Sequence, residues 1–130
     1  MSVCILDSDI VIDLIKKAPP ALAWLKQQTV QPSITPITWI EIIQGARGGK
    51  REQAAHKRVL DLFALEYLVQ GDMDWAMNQL LKYRLSHSID GNDCLIAAVA
   101  YRLGIPLYTR NIKHMTPLLG VKLAVKPYIL

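Results

Sequence analysis

The chain has 130 residues, with 15 Lys and Arg against 11 Asp and Glu, a formal net charge of +4 at pH 7 and 52% hydrophobic residues. A chain of this size and apolar content can bury a core without disulfides or a structural metal, which excludes disordered and disulfide-framework proteins. Asp7, Asp9 and Asp13 interrupt the first apolar stretch and no later run is long enough to span a bilayer, so we expect a cytoplasmic protein outside any membrane. Cys4 and Cys94 lie in apolar runs and are expected to be reduced thiols.

The charges are distributed unevenly along the chain. No acid follows Asp93, so the remaining segment carries only basic charges. If that segment folds beside an acidic cluster, it can attract a polyanion while the acids hold a cation. The alternative is a basic surface that only maintains solubility.

Short apolar runs alternate with helical patterns along the whole chain. In the first half these predict a strand at 3–6, a helix carrying Ile10 and Leu14, a helix carrying Trp24, a strand at 33–36 and a helix capped by Thr38. In the second half they predict a helix at 51–64, strands at 66–69, 107–109 and 123–125, a helix from Gly71, and a helix opened by Asp90 to Asp93 and closed by Gly104. This alternation predicts one α/β domain over 1–130, with a mainly parallel sheet of four to five strands covered by helices on both faces.

Acids stand at several of the predicted strand ends and helix starts. Asp7 follows the first strand, where ligands bind in open α/β sheets; the alternative is that Asp7 or Ser8 only caps the next helix. Glu41 completes a capping box with Thr38, which would explain it without any chemistry. Asp90 and Asp93 share one helical face, and one of the two is expected to be no more than a cap.

Three separated segments thus each bring an acid toward one edge of the predicted sheet. Carboxylates gathered there would raise the pKa of one another unless a divalent cation neutralised them. Oxygen ligands suit Mg²⁺ or Mn²⁺, and the chemistry such an ion supports is phosphodiester hydrolysis.

Four sequence motifs, at 5–10, 38–47, 93–98 and 107–111, together resemble the PIN-domain ribonucleases, and most of all the VapC-type toxins of bacterial toxin–antitoxin pairs. The resemblance implies a three-layer α/β/α PIN-like domain and a Mg²⁺- or Mn²⁺-dependent endoribonuclease. The catalytic and metal-binding acids of that family match Asp7, Glu41 and Asp93 in this sequence.

The chain departs from the family pattern at the fourth acidic position, which falls near Asn111. The side-chain amide of Asn111 can hold a metal ion through a water molecule but adds no negative charge, so weaker or fewer metal sites are expected. Asp9, which stands where the family often has Asn, together with Ser8 and Asp90 is a candidate supporting residue. Thr109 is expected to orient the acids.

The resemblance also suggests how RNA is held. Arg110 is a candidate phosphate contact, with a solvated surface arginine as the alternative. Arg47 begins a basic, glycine-containing loop after Glu41 that is a candidate for RNA binding; the alternative is that this loop only ends the helix. Lys113 is a further candidate for RNA binding.

The partners implied are RNA, for which transfer RNA is a common target in this branch, and a small cognate antitoxin. A homodimer through the apolar helices around 21–25 and 39–43 is also expected. Two rival functions stay open at this point. One is a catalytically silent PIN-like module that only binds RNA or protein, and the other is a haloacid-dehalogenase-type phosphatase with Asp7 as nucleophile. The phosphatase needs a later metal-binding acid, and none follows Asp93.

Overall fold

The computed structural model describes residues 2–130, in which helices and strands alternate around a five-stranded sheet. The elements in chain order are β1 (Ile5–Leu6), α1 (Ser8–Ile15), α2 (Pro19–Lys26), β2 (Ser33–Ile34), α3 (Pro36–Gln44), α4 (Lys50–Leu60), β3 (Ala64–Leu65), α5 (Gln70–His87), α6 (Gly91–Leu103), β4 (Leu107–Tyr108), α7 (Ile112–Leu123) and β5 (Ala124–Val125).

The sheet is parallel throughout and has the strand order β3-β2-β1-β4-β5. β1 lies at its centre, with β2 and β3 on one side and β4 and β5 on the other. The strand order therefore reverses beside β1, and a crevice for ligands is expected at the carboxyl ends of β1 and β4.

Two successive residues of β1 show why the fold has three layers. Ile5 and Leu6 are both fully buried, and neighbouring strand residues point to opposite faces of the sheet. Ile5 belongs to the core formed with α5, α6 and α7, whereas Leu6 belongs to the core formed with α1 to α4. The predicted α/β/α architecture with a parallel sheet is confirmed.

Two local predictions are wrong. The strand expected at 66–69 lies earlier, at Ala64–Leu65, because Val69 is the N-cap of α5 and its amide donates to Asp72 Oδ2 at 3.0 Å. The helix expected at 51–64 ends at Leu60 with Asp61 as its C-cap, and a turn then leads into β3.

The helix α7 lies where the sequence patterns predict no helix, and it contains Pro117 and Gly120, two residues that disfavour helices. Met115, Leu118 and Leu119 are buried at helical spacing and attach the segment to the core. Gly120 has φ 79°, so the regular helix is interrupted there. Packing overrides a weak local preference in this segment.

Two findings bear on the environment expected from the sequence. Cys4 and Cys94 are buried free thiols, and burial raises the pKa of each to about 11, which leaves them protonated and unreactive at neutral pH. Among the helices described, none is both long enough and apolar enough to cross a bilayer.

Candidate active site at the carboxyl ends of the strands

Asp7 occupies the crevice beside β1 and is only 5% exposed. It is the N-cap of α1, since its Oδ1 accepts a hydrogen bond from the Ser8 amide at 2.8 Å. Its Oδ2 accepts from the Thr109 hydroxyl at 2.7 Å, just past the end of β4. Asp7 is therefore both a helix cap and a carboxylate fixed between two neighbouring strand ends.

Glu41 does not form the capping box that its spacing from Thr38 allows, and that alternative is wrong. The N-cap of α3 is Thr35, whose hydroxyl accepts from the Thr38 amide at 3.3 Å. Glu41 lies one turn further along, and its Oε1 accepts from the Ser8 hydroxyl at 2.6 Å. Its Oε2 accepts from the Asn92 amide group at 3.2 Å, so this side chain joins α1 to the start of α6.

Asp90 and Asp93 have different environments, as the sequence led us to expect. Asp90 is exposed and caps α6, with its Oδ1 accepting from the Asp93 amide at 2.9 Å. The Asp93 carboxylate is less exposed and lies 3.5 Å from His114 Nδ1. Asp90 is thus the cap, and Asp93 is the acid that faces the crevice.

These contacts continue around the crevice through Asn111. Its amide group lies 3.1 Å from His114 Nδ1, and its backbone N–H donates to the Thr109 hydroxyl at 2.9 Å. Hydrogen bonds, the 3.5 Å ion pair of Asp93 with His114 and the chain bond between Asn92 and Asp93 link eight residues, which we call the acidic ring: Asp7, Ser8, Glu41, Asn92, Asp93, His114, Asn111 and Thr109. The charge of Asp93 raises the pKa of Asp7 and that of Glu41 raises the pKa of Asp93, so the three acids predicted from separate segments lie near one another.

Negative charge in the acidic ring is only partly balanced. Burial raises the pKa of Asp7 to about 7, and the charges of Asp9 and Asp93 add to that shift. Burial also raises the pKa of Asp93 to about 6, with further increases from Asp90 and Glu41. Within residues 2–130, no three Asp, Glu, His or Cys side chains are arranged so that they could hold a metal ion as they stand.

Arg110 extends the site away from the crevice. Its guanidinium donates to both oxygens of the buried Asp13, at 2.7 and 2.9 Å, and the Tyr128 hydroxyl donates to the same carboxylate at 2.7 Å. The Arg110 amide donates to Asp9 Oδ2 at 2.9 Å, while Asp9 Oδ1 is buried with no partner in the described part of the chain. Arg110 therefore fastens the turn after β4 to α1, and its side chain, 32% exposed, is not simply a solvated surface group.

The other two candidates for RNA binding are exposed. Arg47 lines a furrow of about 240 Å³ together with Glu41 and Asn92. Lys113 lies in the first turn of α7, next to His114. Both side chains are therefore accessible to solvent.

Sequence reasoning missed Asn92, Asp13 and Tyr128. A faint signal existed for Asn92, because it adjoins Asp93 in the first turn of α6. Asp13 follows Asp9 by one helical turn, which places both on the same face of α1. No sequence pattern near Tyr128 indicates that it contacts the site.

Thr109→Val is expected to lower the free energy of unfolding by about 1–3 kcal/mol, because valine can neither donate to Asp7 nor accept from the Asn111 amide. Thr109→Ser keeps the hydroxyl and serves as the matched control, with a smaller loss. Urea denaturation at pH 8 in EDTA measures both variants. Equal stability of the valine variant and the parent would show that this hydroxyl does not hold Asp7 in place.

Comparison with known proteins identifies the family. The family model described as PIN domain matches residues 4–114. The chain belongs to the PIN domain family. A chain in a toxin–antitoxin complex from Klebsiella pneumoniae is 25% identical to this PIN domain, with a TM-score of 0.78 over 98% of this chain and 99% of that one. No curated protein matches the sequence significantly.

Further solved structures share the fold of this PIN domain. DNA-bound VapBC from Salmonella typhimurium matches with 21% identity and a TM-score of 0.78, over 93% of this chain and 96% of that one. VapBC2 from Rickettsia felis, bound to a promoter DNA fragment, matches with 22% identity and a TM-score of 0.69, over 97% and 98%. The resemblance to VapC-type proteins is confirmed, and the phosphatase alternative is wrong.

Proposed function

We propose that this PIN domain is a Mg²⁺- or Mn²⁺-dependent endoribonuclease and the toxin of a type II toxin–antitoxin pair. The observation that carries the proposal is the proximity of Asp7, Glu41 and Asp93, whose neighbours in the acidic ring contact one another around them. Family membership supports it, because PIN domain toxins are generally nucleases.

The donors in this crevice fit a hard divalent cation. Asp7, Glu41 and Asp93 offer only carboxylate oxygens, and burial, followed by the charges of neighbouring acids, raises the pKa of Asp7 and of Asp93. Asn111 is a further candidate, through a water molecule. Because the acids do not enclose an ion as they stand, binding requires their side chains to move closer together. When bound, such an ion supplies an activated water and balances charge on the phosphate.

The chain's own residues hold the acids in position. Thr109 and the Ser8 amide fix the two oxygens of Asp7, and the Ser8 hydroxyl fixes Glu41. His114 and Asn111 close the opposite side beside Asp93.

Basic residues near the acidic ring account for attraction of RNA. Arg47 borders the furrow beside Glu41, and Lys113 stands at the start of α7. Each can neutralise a backbone phosphate without reading sequence. Arg110 contributes mainly by positioning the turn that carries Thr109, since Asp13 already takes two of its N–H groups.

An antitoxin that holds such a nuclease inactive needs a docking surface near the site. A cavity of about 370 Å³ lies beside Glu41 and is bordered by Ile12, Ile15 and Ile42, with Lys16, Glu52 and His56 also lining it. This combination of apolar and charged groups suits an amphipathic segment of a cognate protein. A toxin of this kind acts in the cytoplasm, where its RNA substrate and antitoxin are made.

RNA cleavage by the purified protein tests the proposed activity. We expect no cleavage in EDTA and restored cleavage after addition of excess Mg²⁺ or Mn²⁺, because the carboxylates alone do not activate water efficiently. A transfer RNA mixture and an unstructured RNA serve as substrates, and Asp7→Asn as the matched inactive control.

Two outcomes contradict this expectation. Cleavage that persists unchanged in EDTA, or that is equal in Asp7→Asn, points to a contaminating nuclease. RNA binding without cleavage at any metal concentration supports the silent PIN-like module instead.

A further inference from the structure

His114 lies between two side chains whose atoms can bind a metal ion. It stands in the first turn of α7, and its Nδ1 lies 3.5 Å from Asp93 Oδ2 and 3.1 Å from the side-chain nitrogen of Asn111. The side chains of His114 and Asp93 are 29% and 15% exposed, so both are largely shielded from solvent. The starts of α6 and α7 therefore bring a carboxylate, an amide and an imidazole to one place in the acidic ring.

The contact with Asn111 fixes where His114 carries its proton. The side-chain NH₂ group of asparagine can only donate, so Nδ1 of His114 accepts and the ring proton is on Nε2. Neutral imidazole of this kind is the form that binds metal ions, through the lone pair of the unprotonated nitrogen. That nitrogen is the one close to Asp93 Oδ2, so two electron-rich atoms face each other without a proton between them.

Asn111 is the N-cap of α7, yet its side chain does not cap the helix. Asparagine at this position usually accepts a hydrogen bond from the second or third amide of the helix. Here the amides of His114 and Met115 donate to the backbone carbonyl of Asn111 instead, at 3.2 and 3.1 Å. The helix therefore does not hold the side chain of Asn111. Half a turn about its last bond exchanges the amide nitrogen for the amide oxygen, which is a metal ligand.

The distances among the three side chains fit neighbouring ligands of one ion. Around an octahedral ion with ligands about 2.1 Å away, adjacent ligands are about 3 Å apart. The separations of 3.1 and 3.5 Å measured from His114 Nδ1 are close to this value. No three Asp, Glu, His or Cys side chains within 2–130 are placed to hold an ion, and the set described here differs because its third donor is an amide.

We propose that Asp93, Asn111 and His114 form a nitrogen-containing position in the metal site, which makes this PIN domain select Mn²⁺ and Co²⁺ over Mg²⁺. The proposal rests on the function proposed above, because the ion is the one that the nuclease would use. The position adjoins the remaining acids, since the Asn111 backbone amide donates to Thr109, whose hydroxyl donates to Asp7.

The selectivity follows from the imidazole nitrogen of His114. Mg²⁺ takes oxygen ligands and keeps several of its water molecules. Nitrogen is a softer ligand, and the affinity of a site that contains it rises from Mn²⁺ to Co²⁺ along the first-row transition series. A site made only of carboxylates has a weaker preference, so His114 is the residue that determines which ion is bound.

Pulsed electron paramagnetic resonance of Mn²⁺ bound to the full chain tests direct ligation. The metal-free parent, loaded with one equivalent of Mn²⁺ at pH 8, should show coupling to a nitrogen-14 nucleus. His114→Gln should lose this coupling, because glutamine binds metal ions through oxygen. His87→Gln is the matched control and should keep it, because His87 is exposed at the C-terminal end of α5. A parent that binds no Mn²⁺ or shows no nitrogen coupling overturns the proposal, as does coupling that persists in His114→Gln.

Calorimetric titration of the metal-free protein with each ion tests the selectivity. The parent should bind Mn²⁺ at least about a hundredfold more tightly than Mg²⁺, and Co²⁺ more tightly still. His114→Asp replaces the nitrogen by a carboxylate and should lower the ratio of Mn²⁺ to Mg²⁺ affinity by at least about tenfold, whereas His87→Gln should keep the parent ratio. Circular dichroism checks that each variant folds. An unchanged ratio in His114→Asp rules out His114 as a ligand.

This metal position and the proposed nuclease activity fail independently, because neither measurement uses RNA. A chain that binds Mn²⁺ with nitrogen coupling but never cleaves RNA would contradict only the nuclease. A chain that cleaves RNA equally well with Mg²⁺ and Mn²⁺, and whose bound Mn²⁺ shows no nitrogen coupling, would contradict only the role of His114.

Discussion

Asp7→Asn is expected to reduce metal-dependent RNA cleavage by at least about a thousandfold, because a carboxylate at the centre of the crevice is replaced by a neutral amide that binds divalent ions poorly. The substitution is nearly isosteric. The asparagine oxygen can still accept from the Ser8 amide, which holds Asp7 in the parent chain at 2.8 Å. Initial rates on a defined RNA, with saturating Mg²⁺, measure the effect.

Asp90→Asn is the matched control for this loss of activity. Asp90 is also an acid at a helix start near the crevice, but it is exposed and caps α6 through the Asp93 amide. Asparagine caps helices as well as aspartate does, so stability should hardly change. Cleavage should stay within a few-fold of the parent rate. If the two variants lost activity equally, the distinction between cap and catalytic acid would be wrong.

The strand predictions show which strands can be located from sequence patterns alone. β1 is buried between two layers of helices, and its apolar run located it to within two residues. β3 is an edge strand whose two residues are both exposed, and the apolar run at 62–65 that contains it continues the helical pattern of α4. Sequence patterns therefore located the central strand β1 and the edge strand β5, but not β3, where a helical and a strand pattern overlap.

The acidic residues were easier to predict than the residues that hold them. Asp7 stands at a strand end and Asp93 at a helix start, and local patterns identify both positions. Asn92 contacts Glu41 across 51 positions of sequence, and Tyr128 contacts Asp13 across 115. Such partners become neighbours only through the tertiary fold. The Glu41 capping box failed because α3 begins at Pro36 with Thr35 as its N-cap, so Thr38 lies inside the helix and the Glu41 carboxylate is free to contact Ser8 and Asn92.

The raised pKa of Asp7 makes stability depend on pH in a direction opposite to that of most carboxylates. Burial raises this pKa from its usual 3.8 to about 7, so between these values the native state binds a proton more tightly than the unfolded state does. The contribution of Asp7 to the free energy of unfolding of the metal-free protein therefore falls as the pH rises through this window. Asp93 contributes in the same direction, since its pKa is raised to about 6.

Asp7→Asn is accordingly expected to be more stable than the parent at pH 8 in EDTA, by about 2–4 kcal/mol, and close to it at pH 4. Urea denaturation of both proteins at several pH values measures the difference, and the comparison isolates Asp7 from the other titrating groups. Excess Mg²⁺ at pH 8 should stabilise the parent more than the variant, because binding to the native state adds to its stability. If the variant were less stable than the parent at pH 8 in EDTA, the Asp7 carboxylate would have to be balanced within the protein itself, and the main reason to place a cation beside it would be lost.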